Sequence, residues 1–139
     1  MNHAIVSHHL AVNLLSADGA DLPLEAELRY SAQDPLAVEA LFDDGSAEPV
    51  RWVFARDLLA DGLDRRSGDG DVVVWPTQDA QERPAVHLRL RSPNGDALLE
   101  ASADALEEFL AATARLVPPG TEYAYLDVDG VLASLLGES

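Results

Sequence analysis

In VRWVFARDLLADGL, residues 50–63, the spacing of the apolar side chains changes partway along the sequence. Large apolar side chains stand at every second position of VRWVF, which is the period of a strand with one buried face. From residue 55 the period becomes helical, with Leu58 and Leu59 directed inward and Gly62 placed to end the helix in the left-handed conformation. The stretch therefore predicts a strand that leads directly into a short helix.

The residues before this stretch carry the same alternation in three further segments. They cover residues 5–15, 22–30 and 36–42, and the turn-forming sequences SADGAD and AQDP lie between them. Strands that follow one another at such short intervals pair as an antiparallel meander. The first part of the chain therefore predicts a small antiparallel sheet.

Strand-like segments also follow the predicted helix. Residues 72–75 form one of them, and we expect Pro76 to end it because proline cannot continue a central strand. Residues 86–91 and 97–101 form two more, and the sequence SPNG between them suits a hairpin turn. These segments predict a second small antiparallel sheet.

Helices complete the predicted order of elements. Ser102 is suited to cap a helix, and apolar residues recur at helical spacing from Leu106 to Leu116. A short final helix is predicted over residues 127–136. We therefore expect an α+β fold with two small antiparallel sheets, a short connecting helix and C-terminal helices, in a single domain of residues 1–139.

The composition is strongly acidic and free of cysteine. Nine arginines and no lysine stand against 25 Asp plus Glu, which gives a formal net charge of −16. Affinity for nucleic acids and anionic lipids comes largely from cationic side chains, so this balance opposes both kinds of partner. The lack of cysteine excludes disulfides and thiol chemistry. No signal-peptide pattern or run of about 20 apolar residues is present, so we expect a cytoplasmic protein.

One short motif suggests an enzyme. The sequence LDVDGVL, residues 126–132, is similar to the first motif of haloacid-dehalogenase-type phosphatases, in which an aspartate attacks phosphorus. That chemistry needs a parallel doubly wound domain after the motif, which the predicted elements do not provide. Asp127 and Asp129 instead suit the cap of the terminal helix. Neither they nor Asp69 and Asp71 have the spacing of an EF-hand calcium loop.

The histidines do not have the spacing of a metal site. His8 and His9 are adjacent on a predicted strand, so their side chains should point to opposite faces. His3 and His87 add no pair at ligand spacing. The sequence also has no nucleophile elbow, Walker A loop or GxGxxG run. We therefore expect no catalytic residue, no metal and no cofactor.

Two groups of side chains could form an interaction or oligomer surface. The first group is Trp52, Phe54 and Arg56, and the second is His87, Arg89 and Arg91. Large aromatics such as those in the first group are more often core residues, and a row such as the second is more often the solvated face of a strand. Beside aromatics, such a row could also hold an acidic protein tail or single-stranded nucleic acid. The sequence leaves these alternatives open.

Several of these stretches together resemble one protein family. RWVFARDLLADGL at residues 51–63 and GDGDVVVWP at 68–76 are similar to the most characteristic part of the SsgA-like family of actinobacterial sporulation and cell-division regulators. ELRYSAQDPLAVEALF at 27–42, SPNGDALLEASADALEEFLAATARLVPPGTE at 92–122 and LDVDGVLASLL at 126–136 also resemble that family. The resemblance covers nearly the whole chain and points to the short SsgB-type members.

The resemblance implies a biological role as well as a fold. It implies an assembly of three identical chains, a homotrimer, with a fold similar to the whirly-type single-stranded nucleic-acid-binding proteins. It further implies a non-catalytic regulator that acts at division septa and recruits FtsZ, other SsgA-like proteins and septal wall-synthesis proteins during sporulation-linked septation. The whirly-like fold raises the alternative of single-stranded nucleic-acid binding, which the net charge of −16 opposes.

Overall fold

Antiparallel strands form one continuous sheet, with two α-helices packed on one face, in a computed structural model that describes residues 4–45 and 47–126. The strands are β1 (Ile5–Leu14), β2 (Leu22–Ser31), β3 (Asp34–Asp43), β4 (Val50–Ala55), β5 (Val72–Gln78), β6 (Pro84–Ser92) and β7 (Gly95–Ser102). The helices are α1 (Arg56–Gly62) and α2 (Ala103–Leu116), and a single 3-10 turn follows at Glu122–Tyr125. The α+β class is confirmed. The helix predicted over residues 127–136 lies outside the described residues.

The two predicted sheets are halves of one sheet. Its strand order is β4-β3-β2-β1-β7-β6-β5, so β1 pairs with β2 along one edge and with β7 along the other. The pairing with β7 is short: Asn13 stands opposite Glu100 and Leu14 opposite Leu99. The expectation of two separate sheets is therefore corrected. The period of two in a sequence shows which face of a strand is buried, but it does not show which distant strand lies beside it.

Strand β5 continues through Pro76 as far as Gln78, although we expected the proline to end it. Pro76 stands opposite Val86 of β6 in an unbroken antiparallel register. Because β5 is the last strand of the sheet, only one of its edges has a partner strand. An edge strand tolerates proline, since half of its N–H groups point away from the sheet and take no part in the ladder.

Gly62 also differs from its prediction. It is the last residue of α1, and it is absent from the five glycines of the described chain that have positive φ. Glycine is required here for a steric reason, because a Cβ at this position would collide with the side chain of Val74 in β5. The glycine therefore allows α1 to lie directly against the sheet, rather than providing a left-handed turn.

The core lies between the inner face of the sheet and the two helices. Val38 of β3 and Phe109 of α2 are fully buried, and Leu59 of α1 is 2% exposed. Helix α2 begins as predicted, because the Ser102 hydroxyl accepts a hydrogen bond from the Ala105 N–H at 3.2 Å. The helices cover one face of the sheet, and we call the opposite face the outer face.

Candidate functional site

Arg56, predicted as part of a contact surface, lies inside the protein. It is the first residue of α1, and it is only 4% exposed. Its guanidinium donates hydrogen bonds to the backbone carbonyls of Thr113 at 3.2 Å and Val117 at 2.8 Å, where α2 ends. It also donates to the carboxylate of Glu122 at 2.8 Å. One side chain thereby connects α1, the end of α2 and the 3-10 turn.

The cluster around Arg56 is closed by neighbouring groups. The guanidinium lies over the ring of Tyr30, 4.8 Å from its centroid, and the Tyr30 hydroxyl donates to the carbonyl of Pro35 at 2.8 Å. The other carboxylate oxygen of Glu122 accepts from the Gly120 N–H at 2.8 Å. Hydrogen bonding by Arg56, supported by backbone N–H groups, holds the pKa of Glu122 below its usual range. This cluster stabilises the fold, and its groups are occupied by one another.

The two aromatic residues before Arg56 face the core. Trp52 stands opposite Ala40 and Phe54 opposite Val38, on the inner side of β4. Phe54 is 7% exposed, whereas Trp52 is half-buried at the margin of the core. Of the first predicted group, only Trp52 therefore reaches solvent to an appreciable degree.

The second predicted group lies on the outer face of the sheet. His87, Arg89 and Arg91 follow one another on β6, and together with Trp75 and Arg66 they form what we call the Trp75 surface. The His87 ring meets the edge of Trp75, with centroids 5.6 Å apart, and the guanidinium of Arg66 lies over Trp75 at 4.7 Å. The structure therefore places His87 and Arg66 against the ring of Trp75, with Arg89 and Arg91 next along the same face of β6.

Neighbouring carboxylates engage two members of this row. His87 Nε2 is 2.9 Å from a carboxylate oxygen of Glu100, which stands opposite it on β7. Arg91 Nε is 3.5 Å from the carboxylate of Asp96. Arg89 lies between them, and its buried Nε has no hydrogen-bond partner among the described residues.

A second polar surface covers the outer face of β2, β3 and β4. Glu27 accepts hydrogen bonds from Arg29 at 2.9 Å and from the Ser7 hydroxyl at 2.6 Å. Arg29 also pairs with Glu39 at 3.5 Å, and Glu39 in turn pairs with Arg51. The bonds from Arg29 and then Ser7 lower the pKa of Glu27 to about 2. This row of alternating charges is satisfied internally.

The described residues contain no group of three or more His, Asp or Glu side chains that could hold a metal ion. His8 packs edge-on against Phe109 of α2, while His9 lies on the outer face with its Nε2 3.9 Å from the Glu27 carboxylate. The prediction that these histidines point to opposite faces is confirmed. None of the helices in the described ranges has the length and apolar character of a membrane span.

Some residues of these clusters were not found from the sequence. Glu122 follows a loop with no regular spacing, and no sequence signal connects it with Arg56, 66 residues earlier. Glu100 could have been found, because the SPNG hairpin fixes the register that places it opposite His87. Arg66 lies in a loop, so only the tertiary structure shows that it covers Trp75.

Comparison with known proteins shows to which group of proteins the chain is similar. The family model described as "Streptomyces sporulation and cell division protein, SsgA" matches residues 24–122, which include Arg56, Glu122 and the whole Trp75 surface. The matched family is one of cell-division proteins and is not a known enzyme family.

The chain belongs to the SsgA-like family, which confirms the resemblance seen in the sequence. It is 50% identical to the sporulation-specific cell division protein SsgB of Streptomyces coelicolor over 134 residues, covering 96% of this chain and 97% of the relative. It is 44% identical to the SsgB of Thermobifida fusca, covering 94% of each.

Solved structures agree with this assignment. One comes from work described as "Mutations in SsgB correlate to longitudinal cell division during sporulation of Streptomyces coelicolor", and it matches with a TM-score of 0.85 at 50% identity over 88% of this chain and 96% of that one. The crystal structure of an SsgA-like sporulation-specific cell division protein from Thermobifida fusca matches with a TM-score of 0.86 at 41% identity, over 96% and 97%. The fold described above is therefore the fold of SsgB-type relatives.

Proposed function

We propose that this protein is a non-catalytic regulator of sporulation-linked septation. In this proposal it works in the cytoplasm at division septa, where it positions or recruits FtsZ and septal wall-synthesis proteins by direct contact. The observation that carries the proposal is the 50% identity to a sporulation-specific cell division protein over nearly the whole length of both chains. Relatives that share this much sequence and the same fold commonly share their role.

The arrangement of charged groups supports contact rather than chemistry. The buried ionisable pair of Arg56 and Glu122 is occupied by internal hydrogen bonds, and the outer row around Glu27 consists of mutual ion pairs. General acid–base catalysis needs a side chain placed to exchange a proton with a substrate, whereas the carboxylates of these two clusters are held by arginines. The outer face of the sheet instead offers two broad polar surfaces, which suit binding to other proteins.

Localisation in living cells tests the proposal. A fluorescent fusion of the full chain, produced in a sporulating Streptomyces strain that lacks its own SsgB, should form regular ladders that coincide with labelled FtsZ. It should also restore sporulation septa. An Arg115→Ala fusion is a matched control, because Arg115 is exposed at the end of α2 and has no carboxylate partner in the described structure. A diffuse wild-type signal unrelated to septa would refute the proposed function.

We further propose that the chain assembles as a homotrimer with a whirly-like arrangement. Light scattering should then give a mass of about 45 kDa, three times the 14.9 kDa of one chain. A mass near that of a single chain at micromolar concentration would contradict this assembly.

Single-stranded nucleic-acid binding is the second candidate function, and the cationic row beside Trp75 is the observation that favours it. The same row is partly neutralised by Glu100 and Asp96, and the net charge of −16 repels phosphate. We expect no mobility shift of an oligothymidine at physiological salt. A shift that weakens steeply as salt is added would support this second function instead.

A further inference from the structure

Most arginines of this acidic chain are paired with a carboxylate. Six of the nine lie within 4.0 Å of a carboxylate oxygen among the described residues, namely Arg29, Arg51, Arg56, Arg65, Arg83 and Arg91. The structure gives no such pair to Arg66, Arg89 or Arg115 within the ranges that it describes. Two of these three, Arg66 and Arg89, lie together on the Trp75 surface.

Arg89 is the more constrained of the two. It stands opposite Val73 of β5 on one side and Leu98 of β7 on the other, so apolar side chains flank its stem. Its residue is half-buried, and its Nε is fully buried without an acceptor in the described structure. A buried donor without an acceptor is unfavourable. The two terminal nitrogens of the same guanidinium are not buried and have no hydrogen-bond partner among the described residues, so an acceptor from outside can reach them.

Neighbouring carboxylates do not meet this need. Glu100 is held by His87 at 2.9 Å, and Asp96 lies beside Arg91 at 3.5 Å. Both are on β7, next to Arg89, yet neither accepts a hydrogen bond from it. The fixed strand register therefore maintains a guanidinium with unused donors at the centre of the row.

The chemistry of an arginine side chain indicates which kind of acceptor Arg89 binds. A planar guanidinium binds a carboxylate through two parallel N–H···O bonds, which are stronger than bonds between neutral groups. Arg66 adds a second positive charge nearby, held in place over the ring of Trp75. Leu98, directly opposite Arg89 on β7, is half-buried, so it also offers apolar area beside the cation. The surface thus combines one carboxylate position with a place for an apolar side chain.

We propose that the Trp75 surface binds a short acidic segment of a partner protein, with Arg89 holding one of its carboxylates. An adjacent apolar side chain of the segment then packs on Leu98, which stands directly opposite Arg89 on β7. This inference rests on the proposed function only in that the partner is a protein. It adds the surface and the chemistry of the segment that this surface accepts.

Charge selects an acidic peptide over a polyanion. Nucleic acids and anionic membranes gain affinity from many cationic contacts, and here His87 and Arg91 already have carboxylate neighbours. A chain with a net charge of −16 repels a dense row of phosphates. A segment with one or two carboxylates is repelled far less, and it still satisfies the donors of Arg89.

Fluorescence polarisation with a defined probe tests the proposal. The probe is a fluorescein-labelled peptide in which two glutamates flank a leucine, and the comparison peptide has glutamines instead. Binding is measured at about 0.15 M salt, where the Debye length of about 8 Å screens the overall charge. We expect saturable binding of the acidic peptide only. Arg89→Ala should weaken it at least tenfold, and Arg89→Lys should weaken it less, because lysine keeps the charge but loses the paired donors.

Controls separate a local effect from loss of folding or of charge. Arg115→Ala removes the same charge from the helix side of the protein and should leave binding unchanged. In a Trp52→Phe variant the remaining Trp75 reports the site, and its emission should change as the acidic peptide binds. Circular dichroism checks that each variant is folded.

Several results would overturn the inference. They are the absence of saturable binding up to about 1 mM peptide, equal binding by the Arg89→Ala and wild-type proteins, and tighter binding of an oligothymidine. Any of these results, combined with normal septal ladders of the wild-type fusion, would refute acidic-peptide binding by the Trp75 surface. The proposed function would be unaffected. A diffuse fluorescence signal from the wild-type fusion would refute the proposed function, independently of the peptide-binding result.

Discussion

Replacing Arg56 with methionine should strongly destabilise the protein. The variant keeps an apolar stem of similar length but loses the hydrogen bonds to Thr113, Val117 and Glu122. The Thr113 carbonyl still accepts from the Val117 N–H at 2.8 Å, and Glu122 still accepts from the Gly120 N–H. The Val117 carbonyl and a buried carboxylate oxygen are left without their donor.

The size of the effect follows from these losses. Breaking a buried ion pair by removing one partner costs about 3–5 kcal/mol. Because Thr113 and Glu122 each keep a second donor, we expect Arg56→Met to lie at the lower end of this range. The free energy of unfolding should fall by about 3 kcal/mol. For a chain of this length that corresponds to a fall of about 12 °C in the melting temperature, since each kcal/mol shifts it by about 4 °C.

Urea unfolding followed by tryptophan fluorescence, together with thermal melting, measures this loss. Arg65→Met is the matched control, because the Arg65 side chain is 74% exposed. This variant loses only the ion pair with Asp61, whose atoms are 3.9 Å apart. The control should change stability by less than about 0.5 kcal/mol. Equal stability of the two variants would show that the buried contacts of Arg56 do not stabilise the fold. The Arg56→Met, Glu122→Gln double variant should be more stable than the sum of the single effects predicts, because glutamine removes the stranded charge.

Three further predictions concern acid, packing and capping. The pKa of Glu27 is about 2 in the folded protein and near 4.5 when unfolded. The ionised side chain therefore adds to the free energy of unfolding fully above pH 4.5, and this addition is lost as the pH falls towards 2. Thermal melts of the wild type and Glu27→Gln at low salt should therefore converge over that range, and a constant difference would contradict the assignment. Gly62→Ala should destabilise by about 1–3 kcal/mol through its clash with Val74, whereas Gly70→Ala, with open space around it, should have almost no effect in the same urea unfolding. Ser102→Ala should lose about 1 kcal/mol with its cap while Ser102→Asp retains it, and equal melting temperatures would show that the cap is unimportant.

The strands and α2 could be predicted because their signals are local. Alternation of apolar residues marks the inner face of β2, and Ser102 followed by helical spacing marks the start of α2. The partners of strands are not local in this sense. The short pairing of Asn13 with Glu100 joins residues far apart in sequence, so the sheet was expected as two parts.

The candidate sites were predictable to a smaller extent. Alternation placed His87, Arg89 and Arg91 on one face of β6, which the structure confirms. The burial of Arg56 was not expected, because arginine is rarely buried unless it is paired, and its partner Glu122 has no pattern that reveals it. The clash that requires Gly62 likewise depends on how closely a helix approaches a sheet.

The short junction between β1 and β7 has a consequence for the order of folding. Hairpins such as β6 with β7 join residues close in the chain, and they lose little entropy on closing. The junction joins Leu14 to Leu99, and the Leu15 N–H to the carbonyl of Leu98 at 2.8 Å, so a long loop must close before these bonds form. We therefore expect the two halves to gain protection from hydrogen exchange first, and the amides along this junction to become protected last.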